Sequence, residues 1–344
     1  MTPRTPFALF FIAACAISTA ATAQDLGARQ NGTDALASNQ PVAETPAAVN
    51  TPVPVEVVSC KNPAATPLSR FWELEPASDC GTFGIRGYRP ISLSVIGSDS
   101  VNTAPSSPTA GHTASFQPYT TTETRIQLSV RTKVAQGLLT GGDPNRLDSL
   151  WFAYSQQSYW QLFNADLSRP FRATDHEPEL TYIFPLESAL PSGWRLRYGG
   201  VSLNHQSNGQ SLPLSRSWNR TYLMTGMERG NQWSVNARVW KRIPEKAESD
   251  DNPGISDYVG RGELAAFWNL NRDHTLGVTL RHSLSSTARG SVRLEWMQAL
   301  GSGLGGGKSN LRLHTQLFSG YGDSLVDYNR KRTVFTVGLS LVDF

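Results

Sequence analysis

The sequence has few charged residues, few methionines and few cysteines. Of its 344 residues only 17% are Asp, Glu, Lys or Arg, the formal net charge is +3, and the 31 basic residues are spread along the chain. The absence of a block of like charges excludes a basic arm that binds nucleic acid. After about the first 25 residues, no apolar run approaches the roughly 18 residues needed for a membrane-spanning helix, which excludes a helical membrane protein.

Glycine and aromatic residues, by contrast, are abundant. The chain contains 29 Gly, 14 Phe, 10 Tyr and 9 Trp, but only four Met. This composition is typical of β-rich proteins and differs from the Ala, Leu, Glu and Lys mixture of helical ones. At roughly 150 residues per domain the length allows two domains, although a large β-barrel also fits as one.

Residues 1–23 have the pattern of a cleaved secretory signal. Arg4 precedes an apolar stretch from Phe7 to Ile17, and the small residues Ala21-Thr22-Ala23 form a cleavage site. A lipoprotein box, Ile12-Ala13-Ala14-Cys15, is an alternative interpretation. It would leave a very short apolar stretch, so cleavage after Ala23 is favoured and the protein is predicted to be exported.

Removal of the signal leaves two cysteines, Cys60 and Cys80. Cysteines of an exported chain can pair, and a structural disulfide is the favoured interpretation. A catalytic thiol is less favoured because no histidine lies near either residue in the sequence. The connectivity is left open at this stage.

The segment from Gln24 to about Val58 is rich in Ala, Pro, Asn and Thr, with few charges and no periodicity. Such a segment buries too little apolar surface to offset the entropy of ordering, so it is predicted to be a disordered tether. The predicted domains are therefore a signal at 1–23, a tether and periplasmic segment at 24–85, and a barrel at 86–344.

From about residue 123 onward, apolar and polar residues alternate. Alternation over segments of about ten residues, separated by turn signals, predicts strands with one apolar face. The apolar positions include Ile126, Leu128 and Val130; Trp233, Val235, Ala237 and Val239; Val292, Leu294 and Trp296; Leu311, Leu313 and Leu317; and Phe335, Val337, Leu339 and Leu341.

A soluble β-sandwich has the same period, but three features favour a transmembrane barrel. The strands are long, aromatic residues lie near many strand ends, and the polar face carries Arg, Glu, Asn and Gln, which suits a polar lumen. The chain also ends in Phe344, as outer-membrane barrels commonly do, although Phe344 is out of step with the apolar residues before it.

The strand count is eleven or twelve, depending on whether Ile91 to Ile96 forms the first strand. Bacterial single-chain barrels have even strand numbers. The prediction is therefore an all-β fold, a twelve-stranded antiparallel barrel in the bacterial outer membrane with a disordered N-terminal periplasmic segment.

One hairpin contains the candidate catalytic residues. His205 and Ser207 are two residues apart, so on a strand their side chains share a face, about 6.6 Å apart along the backbone. Apolar residues precede them on that face, which predicts that both side chains point toward lipid. If the following polar loop is centred on Leu212, Asn219 lies opposite His205 on the returning strand. A hydroxyl, an imidazole and an amide would then converge, as in an activated nucleophile with Asn in place of the usual carboxylate.

The residues of this hairpin resemble those of outer-membrane phospholipase A. The resemblance begins with His205-Gln206-Ser207-Asn208-Gly209 and Ser215-Arg216-Ser217-Trp218-Asn219-Arg220. It extends, in family order, to residues 154–162, 168–172, 250–253 and 319–329. Together these blocks span roughly residues 70–344, and as a set they are highly specific.

That resemblance implies a calcium-dependent barrel, active as a homodimer, that hydrolyses acyl esters of phospholipids and lysophospholipids in the outer leaflet. It implies that Ser207 is the nucleophile, His205 the general base and Asn219 the residue that orients His205. The backbone N–H of Gly209 would help to stabilise the oxyanion.

The resemblance also implies a Ca²⁺ site. Its ligands map onto the side chain of Ser215, the backbone carbonyl of Gln210 and the partner subunit's Ser168. Ca²⁺ is a hard cation that prefers oxygen ligands and can stabilise a developing oxyanion. Gln210 replaces the arginine usual in the family, but a carbonyl ligand does not depend on its side chain. Gln156 matches a glutamine of the family's dimer interface.

The chain also departs from the family pattern. Asp251 matches a ligand of a second calcium site found in some members, but Leu212 stands where those members have the partnering aspartate, which weakens the case for that site. The tether and the cysteine pair lie largely outside the resemblance. The alternative function is a passive porin or adhesin barrel, which the polar hairpin on the lipid-facing side disfavours.

Two further motifs are interpreted as structural. Gly307-Lys308-Ser309 resembles the end of a phosphate-binding loop, but the required upstream glycine falls on Ser302. Asp175-His176-Glu177 lacks a second histidine at metal-ligand spacing, so zinc is not expected. The remaining histidines, for the same reason, are predicted to be loop or lumen residues: His112, His274, His282 and His314.

Overall fold

The computed structural model describes residues 64–301, apart from 142, 144 and 145, and residues 310–341. The predicted signal, the Gln24–Val58 tether, Cys60, the 307–309 motif and Phe344 lie outside the described residues. Cys80 is disulfide-bonded, but because Cys60 is not described, the Cys60–Cys80 pairing stays a prediction.

Twelve antiparallel strands form a closed barrel, which confirms the predicted fold class and strand number. Each strand pairs with its neighbours in sequence, and the last strand pairs with the first. A three-residue strand, β1 (Ile85–Gly87), pairs with residues 130–132 of the second barrel strand, next to the start of the first. The barrel strands are β2 Ile91–Ser98, β3 Thr122–Gln136, β4 Ser149–Trp160, β5 Ala173–Ala189, β6 Arg195–Ser207, β7 Ser217–Arg229, β8 Trp233–Arg242, β9 Gly262–Asn269, β10 His274–His282, β11 Gly290–Ala299, β12 Leu311–Gly320 and β13 Arg332–Leu341.

Helical structure is sparse among the described residues. The two short helices are α1 (Pro67–Trp72) and α2 (Ile255–Tyr258), and 3₁₀ turns cover Pro76–Ser78 and Pro191–Gly193. No helix in the described part of the chain is both long enough and apolar enough to cross a membrane.

The alternation of the sequence defines the two faces of the barrel wall. On β6, Val201 and Leu203 are 46% and 54% exposed, whereas Ser202 and Asn204 are buried. The apolar face therefore points outward and the polar face lines the lumen, as expected for a barrel surrounded by lipid.

The two ends of the barrel differ. Short turns join β5 to β6 and β7 to β8 at one end, here called the turn end. The first barrel strand, β2, begins at this end and the last, β13, ends there. The other end, the loop end, carries the connection between β6 and β7. Near the turn end, outward-facing Trp233 stacks on Trp268 with ring centroids 4.9 Å apart, and Trp296 stacks on His274. Such aromatic clusters are typical of an interfacial girdle.

Residues that follow the predicted tether pack inside the barrel. Leu68 and Trp72 of α1, together with Leu74 and Tyr88, form a buried cluster with the inward-facing side chains of the wall, namely Trp151, Ala153, Ile183, Tyr198 and Met224. The backbone N–H of Leu68 donates to Glu228 near the turn end of β7. Residues 67–74 carry enough large apolar side chains to be ordered by burial, so part of the predicted 24–85 segment packs against the wall, and the domain boundaries stay a prediction.

This N-terminal plug, defined as residues 67–88, also contains buried charges that are paired. Lys133 of β3 is fully buried, and its Nζ lies 2.7 Å from Glu73 Oε2 and 2.6 Å from Asp79 Oδ1. The guanidinium of Arg131 lies 3.6 Å from the ring centroid of Phe71.

At the loop end a second buried network joins Glu123, Arg172, Asp327 and Arg332. A cavity of about 730 Å³ lies in the lumen and is lined by plug residues such as Leu68 and Trp72 and by polar wall residues such as Arg293 and Glu295.

Candidate active site

The β6–β7 hairpin brings His205 and Asn219 together. They are direct partners in the antiparallel register, as the symmetry about Leu212 predicts. His205 Nδ1 lies 2.8 Å from Asn219 Oδ1. Because an amide oxygen can only accept, this contact places a proton on Nδ1 and leaves Nε2 of the neutral ring as a proton acceptor.

Ser207 is the last residue of β6 and lies on the same outward face as His205. Its partner on β7 is Ser217. Within the described part of the chain, no hydrogen bond joins the Ser207 hydroxyl to the His205 ring. Such bonds are often long in substrate-free sites and shorten when substrate binds. The hairpin therefore holds the two side chains on one face, one strand repeat apart.

A buried asparagine, which the sequence did not single out, shapes the connecting loop. The Asn208 side chain donates to the Leu214 carbonyl (2.6 Å) and accepts from the Arg216 N–H (2.9 Å). The Asn208 backbone N–H donates to the Arg216 carbonyl at 3.0 Å. These three bonds close the loop directly after Ser207 and fix the position of Gly209.

Gly209 has φ +61°, a left-handed conformation that glycine adopts without steric cost. Among the described residues, its backbone N–H makes no hydrogen bond. This N–H thus lies two residues from Ser207 and is free to donate to a substrate oxygen.

The oxygen atoms around Ser215 suit a calcium ion. The Ser215 hydroxyl donates to Asp251 Oδ2 at 2.7 Å, and the Ser217 hydroxyl donates to the same oxygen at 3.4 Å. Gln210 Oε1 is buried without a hydrogen-bond partner. His112 Nε2 lies 3.0 Å from Asp251 Oδ1, so the carboxylate is shared between the serines and an imidazole.

No group of three or more His, Cys, Asp or Glu side chains in the described residues has the geometry of a metal site. A calcium site here would therefore depend on hydroxyl and carbonyl oxygens together with one carboxylate, a donor set that Ca²⁺ accepts. Leu212 is 61% exposed and supplies no ligand, so the structure offers Asp251 without the second aspartate of the two-aspartate site.

Two predicted residues lie apart from this cluster. Ser168 belongs to the loop between β4 and β5, where its carbonyl accepts from Trp160 Nε1 at 2.6 Å and its hydroxyl donates to the Ala165 carbonyl. Gln156 lies on β4 opposite His176 of β5. The predicted roles of Ser168 and Gln156 require a second subunit, so they stay predictions.

His176 lies beside Ser207, a neighbour that sequence reasoning missed. It is the direct register partner of Ser207 across β5 and β6, although the sequence suggested it only as part of a zinc motif. A turn centred between Pro191 and Ser192 would have placed the two residues opposite each other.

Glu245 is a second missed residue and lies in the loop after β8. The backbone N–H of Ile243 donates to the Asn219 carbonyl at 2.8 Å, which brings this loop beside the hairpin. Burial raises the pKa of Glu245, while the positive charge of Arg242 opposes that rise. The loop therefore brings a carboxyl group close to the strand that carries Asn219.

Known proteins resemble this chain in sequence and in fold. The family model for phospholipase A1 matches residues 68–341. Phospholipase A1 of Escherichia coli (strain K12) is 37% identical over 221 residues, which cover 64% of this chain and 70% of that protein. Outer membrane phospholipase A from Escherichia coli superposes with a TM-score of 0.65 at 31% identity, over 77% of this chain and 94% of the other. The Salmonella typhi outer membrane phospholipase dimer with bound calcium superposes with a TM-score of 0.65 at 29% identity, over 81% and 98% of the two chains.

Proposed function

This chain belongs to the phospholipase A1 family, and we propose that it is a calcium-dependent serine hydrolase of the bacterial outer membrane, active as a homodimer. Its substrates are phospholipids and lysophospholipids, whose acyl esters it cleaves at the A1 and A2 positions. The observation that carries the proposal is the 2.8 Å contact between His205 and Asn219 on the outward face that also bears Ser207.

The proposed reaction begins with attack of Ser207 Oγ on the ester carbonyl carbon. His205 Nε2 takes the hydroxyl proton as the new C–O bond forms and the carbonyl π electrons move to oxygen. Collapse of the intermediate expels the lysolipid alkoxide, which receives the proton from His205. Water then attacks the acyl-serine in the same way, releasing fatty acid and restoring Ser207.

Asn219 acts on His205 and not on the substrate. Its Oδ1 accepts the Nδ1–H, so the imidazole is held in the tautomer whose Nε2 faces the nucleophile. A neutral orienting group suits a site at a membrane surface, since a carboxylate would carry a larger desolvation cost.

The developing oxyanion would be stabilised by the free N–H of Gly209. Ser215 and the Gln210 carbonyl are the residues that would hold Ca²⁺ in one subunit, with the partner subunit's Ser168 completing the set. Asp251, the remaining residue of the second site, accepts a hydrogen bond from the Ser215 hydroxyl and would act on the ion through that serine. When bound, the ion would supply positive charge close to the oxyanion, an effect worth several kcal/mol.

The position of the site suits a substrate in the outer leaflet. His205 and Ser207 lie on the outer face, at the loop end of a barrel whose strands enter and leave at the turn end. If both chain termini are periplasmic, as in bacterial single-chain barrels, the hairpin lies near the external surface. Export by cleavage after Ala23 is part of the same proposal.

The passive porin or adhesin is disfavoured by the interior of the barrel. The N-terminal plug occupies part of the lumen near the turn end, and a buried ion-pair network lies at the loop end. Fatty acid release from phospholipid–detergent micelles, with and without a calcium chelator, tests the proposal. Calcium-dependent release supports it, whereas a steady conductance in planar bilayers without release would favour the porin.

A further inference from the structure

A second histidine lies beside the proposed nucleophile. His176 of β5 and Ser207 of β6 are direct partners in a register that continues unchanged to Glu179 and Asn204. Directly opposite residues of an antiparallel pair have Cβ atoms about 4.5–5.5 Å apart and point to the same face. His176 and Ser207 are thus neighbours on the outward face.

The ring of His176 lies against the loop that follows Ser207. A Cβ placed on Gly209 would lie 3.6 Å from Cδ2 and 3.7 Å from Nε2 of His176. The Nε2 edge of the ring therefore faces the backbone of the residue whose N–H is proposed to contact the oxyanion.

The other nitrogen of the ring is already occupied. Tyr154 of β4 places its hydroxyl 2.6 Å from His176 Nδ1, and the two rings lie 6.2 Å apart. The hydroxyl carries one proton, which can be donated either to Gln156 Oε1 at 3.1 Å or to His176 Nδ1 at 2.6 Å. We assign it to the closer Nδ1, so that the ring proton resides on Nε2, which becomes a donor on the Gly209 side.

We propose that His176 is a further catalytic residue, whose Nε2–H donates a hydrogen bond to the ester carbonyl oxygen as it becomes an oxyanion. This inference rests on the proposed function and adds a side-chain donor to the Gly209 N–H. As Ser207 Oγ bonds to the carbonyl carbon, the π electron pair moves to oxygen, and the serine proton goes to His205. His176 keeps its proton throughout, so the proton balance of the reaction is unchanged.

The test uses full-length protein in micelles with saturating calcium. His176→Phe removes the donor and keeps a ring, His176→Gln retains an N–H donor of similar reach, and Tyr154→Phe removes the partner that sets the tautomer. His274→Phe is the matched control, because His274 also stacks on an aromatic ring, Trp296, but lies at the turn end. Folding and dimerisation are checked by gel mobility and cross-linking.

We expect His176→Phe to lower kcat by about 100-fold, with KM changed less than threefold and the dimer fraction unchanged. His176→Gln should recover at least tenfold of that loss, Tyr154→Phe should lower kcat more mildly than His176→Phe, and His274→Phe should match the wild type.

Several results would overturn the inference. One is an unchanged kcat in His176→Phe. Another is a rise in KM alone, which would indicate that His176 binds the head group. The third is a fall in kcat that accompanies a fall in the dimer fraction. Ser207→Ala measured in parallel separates the two proposals. If Ser207-dependent hydrolysis is present and His176→Phe is fully active, only the role of His176 fails. If no Ser207-dependent hydrolysis is found, the proposed function fails.

Discussion

His205 Nδ1 and Asn219 Oδ1 lie 2.8 Å apart on adjacent strands, and the two residues are direct register partners. The contact is made on the exposed outer face of the wall, away from the polar lumen. The β-sheet ladder itself therefore fixes the imidazole tautomer, and the loop between the strands can vary without moving this pair.

Asn219→Ala is expected to be milder than His205→Ala. Loss of the amide misorients the base but leaves it in place, so kcat should fall about 10- to 100-fold, whereas loss of His205 should cost about 10³-fold or more. Initial rates on a short-chain phospholipid measure both. Equal losses for the two variants would show that Asn219 does more than orient the ring.

Calcium dependence should follow Ser215 and Asp251. Their oxygens lie 2.7 Å apart, so Ser215→Ala and Asp251→Asn should each raise the calcium concentration that gives half-maximal activity, by tenfold or more. Rates measured against free calcium test this expectation. Ser249→Ala in the same loop is the control, and calcium curves of Ser215→Ala and Asp251→Asn that overlie the wild type would exclude Ser215 as a ligand and Asp251 as its partner.

Glu245→Gln should lower kcat a few-fold and only when Asn219 is present. Because burial raises the pKa of Glu245, its carboxyl becomes neutral at a higher pH than an ordinary glutamate, and any support from its charge is lost as the pH falls through that raised value. A double-mutant cycle with Asn219→Ala measures the coupling. Additive effects would argue against contact between the two side chains.

The N-terminal plug should stabilise the barrel. Trp72 is buried against Trp151 and Tyr198, so Trp72→Ala should lower the free energy of unfolding by about 3–5 kcal/mol. Urea titration in lipid vesicles measures this quantity. Phe116→Ala, at an exposed loop residue, is the control, and a similar small effect in both variants would show that the plug is not part of the folded core.

The dimer fraction should depend on the state of the membrane. A lipase surrounded by its substrate has to be restrained, and an outer leaflet poor in phospholipid would keep the monomer predominant. Chemical cross-linking before and after perturbation of the outer membrane should therefore trap more dimer afterwards. An unchanged dimer fraction would contradict this form of regulation.

The sequence predicted the barrel well because the alternation of apolar and polar residues is a local pattern. The even number of strands follows from the rule that bacterial single-chain barrels have both termini on the same side of the membrane. It also predicted the His205–Asn219 pairing, since a short hairpin has one centre of symmetry. His176 was missed because its partner on β6 is set by a different turn. The plug was missed because a six-residue helix is too short to show a period, and its burial depends on wall residues far away in the sequence.

The most direct test compares fatty acid release by the wild type and by Ser207→Ala in calcium-containing phospholipid micelles. Both proteins are first checked for folding and, by cross-linking, for dimer formation. Our account predicts calcium-dependent release by the wild type and a loss of about 10³-fold or more in the variant. Equal release by the two proteins would contradict it, because the outward-facing hydroxyl beside His205 would then not be the nucleophile.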